Sequence, residues 1–521
     1  MKKNFLEAVV FICGACVMML ELVGSRLFAP YLGTSLYVWT SLIGVILGCL
    51  SLGYWLGGRL SDKKPDPRYL SAIILMSGVA TTVIALLGDA VLFAIQSVIA
   101  DLRLGAVLAT LFLFGLPSVL LGMVSPYAVR LKISEINQTG RTTGALYAFS
   151  TLGSIVGTFI CGFFLLSAFS HRSILLMISA CLVLLSPIAA LGMPKNHKWV
   201  WALVFILICS MIKPFERAVM GSGFIETQTA YNRVWIFDAF SEEGKPLRLM
   251  QVNDEGSSAM FLGSDELALD YTKYFRLAGH FNPGIKNALM IGGAAFSYPK
   301  YFLKEFSSAY LDVVEIDAKL TALARQYFNL RADPRLAIFH EDARTFLNKS
   351  QNRYDAIYVD VFSSHTIPFQ LATRESFGKM AGHLNENGVL IMNVISSING
   401  DSGLLLRALI KTLESLSLQV YVFPVQYKDD ASRVQNICLV ALKSGKTPKF
   451  SSSDEALNEY LNHIWVEKIP KDTPILTDGF APVDQYTAKM LAHRTGSKEG
   501  ILQKKVQRLW QKMMRIQPQE R

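Results

Sequence analysis

The sequence predicts two unlike folds in series: a multi-pass α-helical membrane bundle, then a doubly wound α/β domain. Three observations carry this. The chain has 521 residues and is 51% hydrophobic, with a mean hydropathy of +0.33, too apolar for an ordinary soluble protein. The apolar runs of about 20 residues that a bilayer crossing needs are confined to residues 1–215. From about residue 222 the texture changes to strands alternating with helices, the pattern of a separate globular domain.

Charge follows the same division. Residues 1–215 carry 15 Lys+Arg against 7 Asp+Glu, within a total formal charge of +10. The basic excess therefore sits in the hydrophobic part, as topology-setting loops require. No basic patch with interleaved aromatics occurs, so no nucleic-acid partner is expected. Cys13, Cys16, Cys49, Cys161, Cys181 and Cys209 lie in apolar stretches and Cys438 lies beyond them. They read as packing residues: Cys13 and Cys16 have CxxC spacing but sit mid-helix without the second pair of a zinc or disulfide framework. No metal is expected.

Spans are predicted near 5–25, 37–58, 70–88, 105–129, 144–168, 172–193 and 198–213. The first is not a cleaved signal, because its apolar run continues past Glu21 without a small-residue cleavage site. Residues 89–103 are too short to cross and read as an interfacial amphipathic helix. Glu21 and Arg26 are charges inside a span. Each needs a polar partner, a cavity or the interface, and a substrate or proton site remains an alternative. The small residues Gly48, Gly53, Gly57, Gly153, Gly157 and Gly162 permit close helix crossings.

Lys2, Lys3, Arg59, Lys63, Lys64, Arg68, Arg130, Lys132, Arg141, Lys195 and Lys198 would share one side, against Arg103, Arg172 and Lys213 on the other. The amino terminus is therefore expected to be cytoplasmic. Seven full spans would put the second domain outside. An interfacial or re-entrant 198–213 would leave it in the cytoplasm.

The bundle is assigned to residues 1–215, a β-hairpin subdomain to 222–283, the α/β domain to 284–445 and an extension to 446–521. The extension includes a basic amphipathic stretch at 498–517, suited to anionic lipid or to packing on the domain. Hairpins are expected over 224–262 around a turn at Glu242–Pro246. Strands are expected at 287–292, 310–315, 336–340, 355–360, 388–394, 419–423 and 435–442. Such alternation gives a mainly parallel sheet, with ligands at the carboxyl ends of its strands. That rule selects Gly292-Gly293-Ala294-Ala295, Glu315, Asp342-Ala343 and Asp360. Small residues after the first strand let backbone approach a ligand. An acid ending the second can accept from a ribose diol. A carboxylate ending the apolar fourth strand can act as a general base.

The segments YNRVWIFD, ALDYTKYF, LMIGGAAFSYPKYF, VVEIDAKL, HEDARTFL, YDAIYVDVFSSHTIPFQLATRESF and ILTDGFAPVD run in order over the second half. They resemble spermidine synthase, an aminopropyltransferase with the methyltransferase-type Rossmann fold. They are more similar still to bacterial membrane proteins in which a transporter-like bundle is fused to such a domain. The run Gly57-Gly58-Arg59-Leu60-Ser61-Asp62-Lys63-Lys64 resembles a loop signature of major facilitator transporters.

The spermidine synthase resemblance implies a set of roles. Glu315 would hold the ribose diol of an adenosyl-sulfur ligand, Asp342 and Ala343 would meet the adenine, and Gly292 and Gly293 would pass beneath the sulfur-bearing chain. Asp360 would deprotonate the amine, assisted by Tyr271, and Asn232 stands where a ligand-binding glutamine is common. No resident cofactor is implied, because S-adenosylmethionine or its decarboxylated form is the substrate. The resemblance is also compatible with a homodimer. Two departures stand out. The glycine loop lacks an acid, and Ser363 replaces a second carboxylate. Both carboxylates would have bound cationic amines, so nucleoside recognition looks retained and recognition of a putrescine-like partner eroded. Three readings follow: transfer to an amine, intramolecular cleavage releasing methylthioadenosine, or a non-catalytic half-transporter-like protein with a nucleoside sensor.

Overall fold

The computed structural model describes residues 5–99, 101–133, 139–189, 224–253, 255–361, 367–445 and 447–496. The chain divides into two compact units, Met1–Ser222 and Gly223–Arg521.

Among the described residues, the first unit holds six helices long and apolar enough to cross a membrane. They are α1 (Phe5–Leu32), α2 (Leu36–Lys63), α3 (Pro67–Val98), α4 (Leu102–Lys132), α5 (Thr139–Ile160) and α6 (His171–Ala189). A π-helical turn, Cys161–Leu165, extends α5. Asp66 and Asp101 cap α3 and α4 by accepting from the Arg68 and Leu104 backbone N–H groups, which supplies partners for first-turn donors.

The predicted interfacial helix at 89–103 is corrected: α3 continues unbroken to Val98. Residues 89–98 contain no proline or glycine, so nothing interrupts the backbone ladder once α3 has started. Asp89, which looked like a boundary, is held by neighbours. It accepts from Tyr31 Oη at 3.0 Å and pairs with Arg172 at 2.9 Å. The expected span at 198–213 and the basic stretch at 498–517 lie outside the described residues.

Small residues set the closest crossings. A Cβ on Gly53 would collide with the Val119 carbonyl of α4, and one on Gly153 with the Phe11 carbonyl of α1. Gly57 and Gly157 make the same kind of approach, whereas Gly48 and Gly162 face open space and do not pack. Glu21 and Arg26 are both half-buried in α1.

The second unit opens with an antiparallel sheet of β1 (Phe224–Gln228), β2 (Arg233–Phe240), β3 (Pro246–Val252) and β4 (Glu255–Phe261), in that order. Helix α7 (Asp270–Lys273) follows. The main sheet then forms from β5 (Asn287–Ile291), β6 (Tyr310–Val314), β7 (Leu336–Phe339), β8 (Tyr354–Val359), β9 (Leu384–Ser396), β10 (Gln419–Pro424) and β11 (Gln435–Leu442). Helices α8 (Ser297–Glu305), α9 (Ala318–Tyr327), α10 (Ala343–Lys349), α11 (Arg374–His383) and α12 (Leu404–Glu414) connect them.

The strand order is β10-β11-β9-β8-β5-β6-β7. All neighbours are parallel except β11, which runs antiparallel to both β9 and β10. This is the methyltransferase-type variant of the doubly wound sheet. The central strands are near-continuous apolar runs because helices cover both faces. Residues 389–394 of β9 are all buried. The chain leaves β5 toward β6 and β7, then returns to β8 on the other side. The topological switch therefore lies between β5 and β8.

Candidate active site

Register places the strand ends. Ile291 pairs with Val314 on one side and Val359 on the other. The next residues, Gly292, Glu315 and Asp360, therefore stand in a row along the sheet edge. Two further bonds hold them level: Gly292 N–H donates to Val314 O and Asp360 N–H to Ile291 O, each at 2.9 Å. With β5 between them, Glu315 and Asp360 lie about 10 Å apart, two strand spacings.

Gly292 has φ +90 and a Cβ there would collide with the Asp360 carbonyl oxygen. Both the positive φ and the close approach require glycine. The loop then winds through Ala294 (φ 43) and Phe296 (φ 58), left-handed positions that turn the backbone N–H groups inward.

Glu315 receives them. Its Oε2 accepts from Gly293 N at 2.9 Å and Ala294 N at 3.1 Å, and its Oε1 from Asp317 N at 2.9 Å. The residue is 6% exposed. Burial pushes its carboxyl above the usual range, and the three backbone donors oppose that shift. Part of its acceptor capacity is still open, which suits a ribose hydroxyl.

Asp342 caps α10, its Oδ1 accepting from Thr345 N at 3.0 Å, and Ala343 is the buried first residue of that helix. The next residue, Arg344, reaches Asp478 at 2.7 Å, and Asp478 also accepts from Thr373 Oγ1 at 2.6 Å. The ILTDGFAPVD segment thereby ties α10 to the start of α11.

Asp360 is the other pole. Its Oδ2 accepts from Tyr271 Oη at 3.0 Å, and its Oδ1 from Asn393 Nδ2 at 3.3 Å. Desolvation raises its pKa to about 6 against the two hydrogen bonds. Tyr271 is held edge-on by Phe275, whose ring centroid is 6.0 Å away. Cys438 lies across the ladder from Asn393. Burial pushes its thiol up, which holds it in the protonated form.

Asn232 has protein partners at both ends of its amide. Its Nδ2 donates to Asp317 Oδ2 at 3.2 Å and its Oδ1 accepts from Asn253 Nδ2 at 3.1 Å. Ser363 lies outside the described residues. Sequence reasoning passed over Asn393 and Asp317. The signal for Asn393 was one amide inside the apolar run VLIMNVI. Asp317 reads first as a helix cap, and its other partners come from residues 88 positions away or nearly so.

Residues 274–425 match the spermine/spermidine synthase domain family. A probable polyamine aminopropyl transferase of Bifidobacterium longum is 34% identical over 130 residues, covering 25% of this chain and 28% of that one. The polyamine aminopropyltransferase of Vibrio vulnificus is 27% identical over 203 residues, covering 37% of this chain and 66% of its own. A crystal structure of a probable spermidine synthase from Corynebacterium glutamicum superposes with a TM-score of 0.40 at 21% identity, covering 46% of this chain and 86% of that one. The chain thus spans between about a quarter and two thirds of the curated relatives it matches. Residues 274–425 thus resemble a spermine/spermidine synthase domain, on a doubly wound sheet of the methyltransferase type. Polyamine aminopropyltransferases are its homologues, and the helices that precede the domain are apolar enough to anchor it in a membrane.

Proposed function

We propose that the protein is a membrane-anchored, aminopropyltransferase-like enzyme. It binds an adenosyl-sulfonium substrate and releases methylthioadenosine. The observation that carries this is Asp360, a desolvated carboxylate at the switch point, hydrogen-bonded to Tyr271 and two strand spacings from a ribose-type acid, Glu315.

The nucleoside would lie along the row of strand ends, with Glu315 on the ribose, Asp342 and Ala343 at the adenine, and Gly292-Gly293 beneath the sulfonium. A neutral amine attacks the methylene carbon beside sulfur. The N–C bond forms as the C–S bond breaks, and the electron pair returns to sulfur, leaving the uncharged thioether. Asp360 takes the amine proton, and Tyr271 fixes the carboxylate oxygen that receives it. A base with a pKa near 6 accepts that proton and returns it to solvent near neutral pH. Most of the acceleration comes from holding nitrogen, carbon and sulfur in line.

A second reading, intramolecular cleavage of S-adenosylmethionine, is favoured by one feature. Ala294 and Ala295 give the glycine loop no charge for a substrate ammonium. Losing charge-assisted bonds of about 1.5–3 kcal/mol each weakens a dication most. The catalytic unit belongs on the cytoplasmic side, where adenosyl-sulfonium metabolites are made. The six candidate spans among the described residues return the chain to the side of its basic loops by residue 189.

Incubation of the purified full chain with S-adenosylmethionine or its decarboxylated form, with and without putrescine, tests the reading by mass spectrometry of the products. Spermidine supports amine transfer, and methylthioadenosine without spermidine supports cleavage. Failure to form either product overturns the enzyme reading.

A further inference from the structure

Asp317 is buried, 2% exposed, yet it contacts the hairpin sheet as well as its own helix. Its Oδ1 caps α9 by accepting from Lys319 N at 3.2 Å. Its Oδ2 accepts from the Thr229 hydroxyl and from Asn232 Nδ2. Thr229 and Asn232 begin and end the four-residue turn between β1 and β2. Asn232 passes the connection on through its Oδ1 to Asn253, in the turn between β3 and β4. Asn253 in turn accepts from Arg233 N at 3.1 Å. Two hairpin tips of the small sheet are therefore tied to one carboxylate. Lys319 adds a bond from its Nζ to Gln228 O at 2.5 Å.

The backbone N–H of the same residue donates to Glu315 Oε1 at 2.9 Å. One residue thus fixes the orientation of the ribose-edge acid and the seat of the hairpin tips beside it. An amide could not do this: both side-chain oxygens accept, Oδ1 from Lys319 N and Oδ2 from Thr229 and Asn232, whereas an amide has one accepting end.

We propose that Asp317 is a positioning residue for the nucleoside: it clamps the β1–β2 and β3–β4 turns against the ribose edge and aims Glu315. Asn232 serves the clamp, with both ends of its amide occupied, and does not contact the ligand. This rests on the functional reading above and deepens it, because the clamp acts on nucleoside binding and leaves Asp360 untouched.

The polarity of the pair provides the test. In Asp317→Asn, an amide donor faces either Asn232 Nδ2 or Lys319 N–H. In Asn232→Asp, two carboxylates face each other. The double exchange restores complementarity: the new Asn amide donates to the new Asp, which still accepts from Asn253. The Thr229 hydroxyl can turn to the Asn232 main-chain oxygen, already 3.2 Å away.

Binding of methylthioadenosine to the full chain in detergent, by calorimetry, is measured for wild type, D317N, N232D, T229V and the double exchange. Each charge-altering single variant is expected to weaken binding about 10- to 100-fold, and the double exchange to recover to within about threefold of wild type. T229V removes a hydroxyl without altering charge and is expected to lose about 3- to 10-fold. The acid limb of turnover near pH 6 should stay in place in every variant. Wild-type affinity in the folded single variants, or additive losses in the double exchange, overturns the clamp. Absence of binding to wild type overturns the functional reading and the clamp together.

Discussion

Tyr271 Oη donates to Asp360 Oδ2 at 3.0 Å, joining α7 to the end of β8 across 89 residues of sequence. The contact brings a hydroxyl to that carboxylate, and it opposes the desolvation that lifts the Asp360 pKa to about 6. Several measurable consequences follow from this pair and its surroundings.

Turnover should need ionised Asp360. The group is protonated below about pH 6, so activity should fall tenfold per pH unit on the acid side of that value. A profile of kcat/KM from pH 4.5 to 9 reads this directly. An unperturbed aspartate would place the limb near pH 4.

Removing the phenol in Tyr271→Phe takes away a bond that favours the charged carboxylate. The acid limb should move to higher pH, and kcat should drop about tenfold or more. Binding of methylthioadenosine should stay within about twofold of wild type, because the change removes no ligand contact.

Asp360→Asn should separate stability from function. A carboxyl raised from 3.8 to about 6 on folding binds its proton more tightly in the native state. Its ionisation therefore costs stability as pH rises through that window, and the cost is complete above pH 6. The neutral amide avoids it, and Asn393 Oδ1, buried without a partner, can turn to accept from the new amide. At pH 8 the variant should be more stable by about 1–3 kcal/mol, with the gap closing toward pH 4. Turnover should fall about 100- to 10,000-fold. Unfolding midpoints at the two pH values and a turnover assay check both halves.

Gly292→Ala should fail through the backbone. The position has φ +90 and no room beside the Asp360 carbonyl. A loss of at least about 2 kcal/mol is expected, with nucleoside binding weakened in whatever fraction folds. Gly48→Ala in α2, which meets open space, should leave stability unchanged.

The fold was largely legible in the sequence, for reasons visible in particular elements. The run AIYVD announces a strand buried on both faces and ending in an acid, and register then puts Asp360 beside Gly292 without further information. Span ends were less legible. Hydropathy locates the apolar centre of a helix, whereas α3 runs on to Val98 because its backbone ladder has no reason to stop, and Asp89 finds Tyr31 and Arg172 only in the folded bundle. Asn232 shows the same limit within the site. A motif position suggests a ligand contact, but the side chain's partners, Asp317 and Asn253, come from distant turns that no local pattern reveals.

The central claim is that Asp360 drives release of methylthioadenosine from an adenosyl-sulfonium substrate. The most direct measurement is the rate of methylthioadenosine formation at pH 8 by wild type and Asp360→Asn, with both proteins shown to bind the nucleoside. The account predicts steady release by wild type and a loss of at least about 100-fold in the variant. Equal rates in the two proteins, or no release by a wild type that binds the substrate, would contradict it.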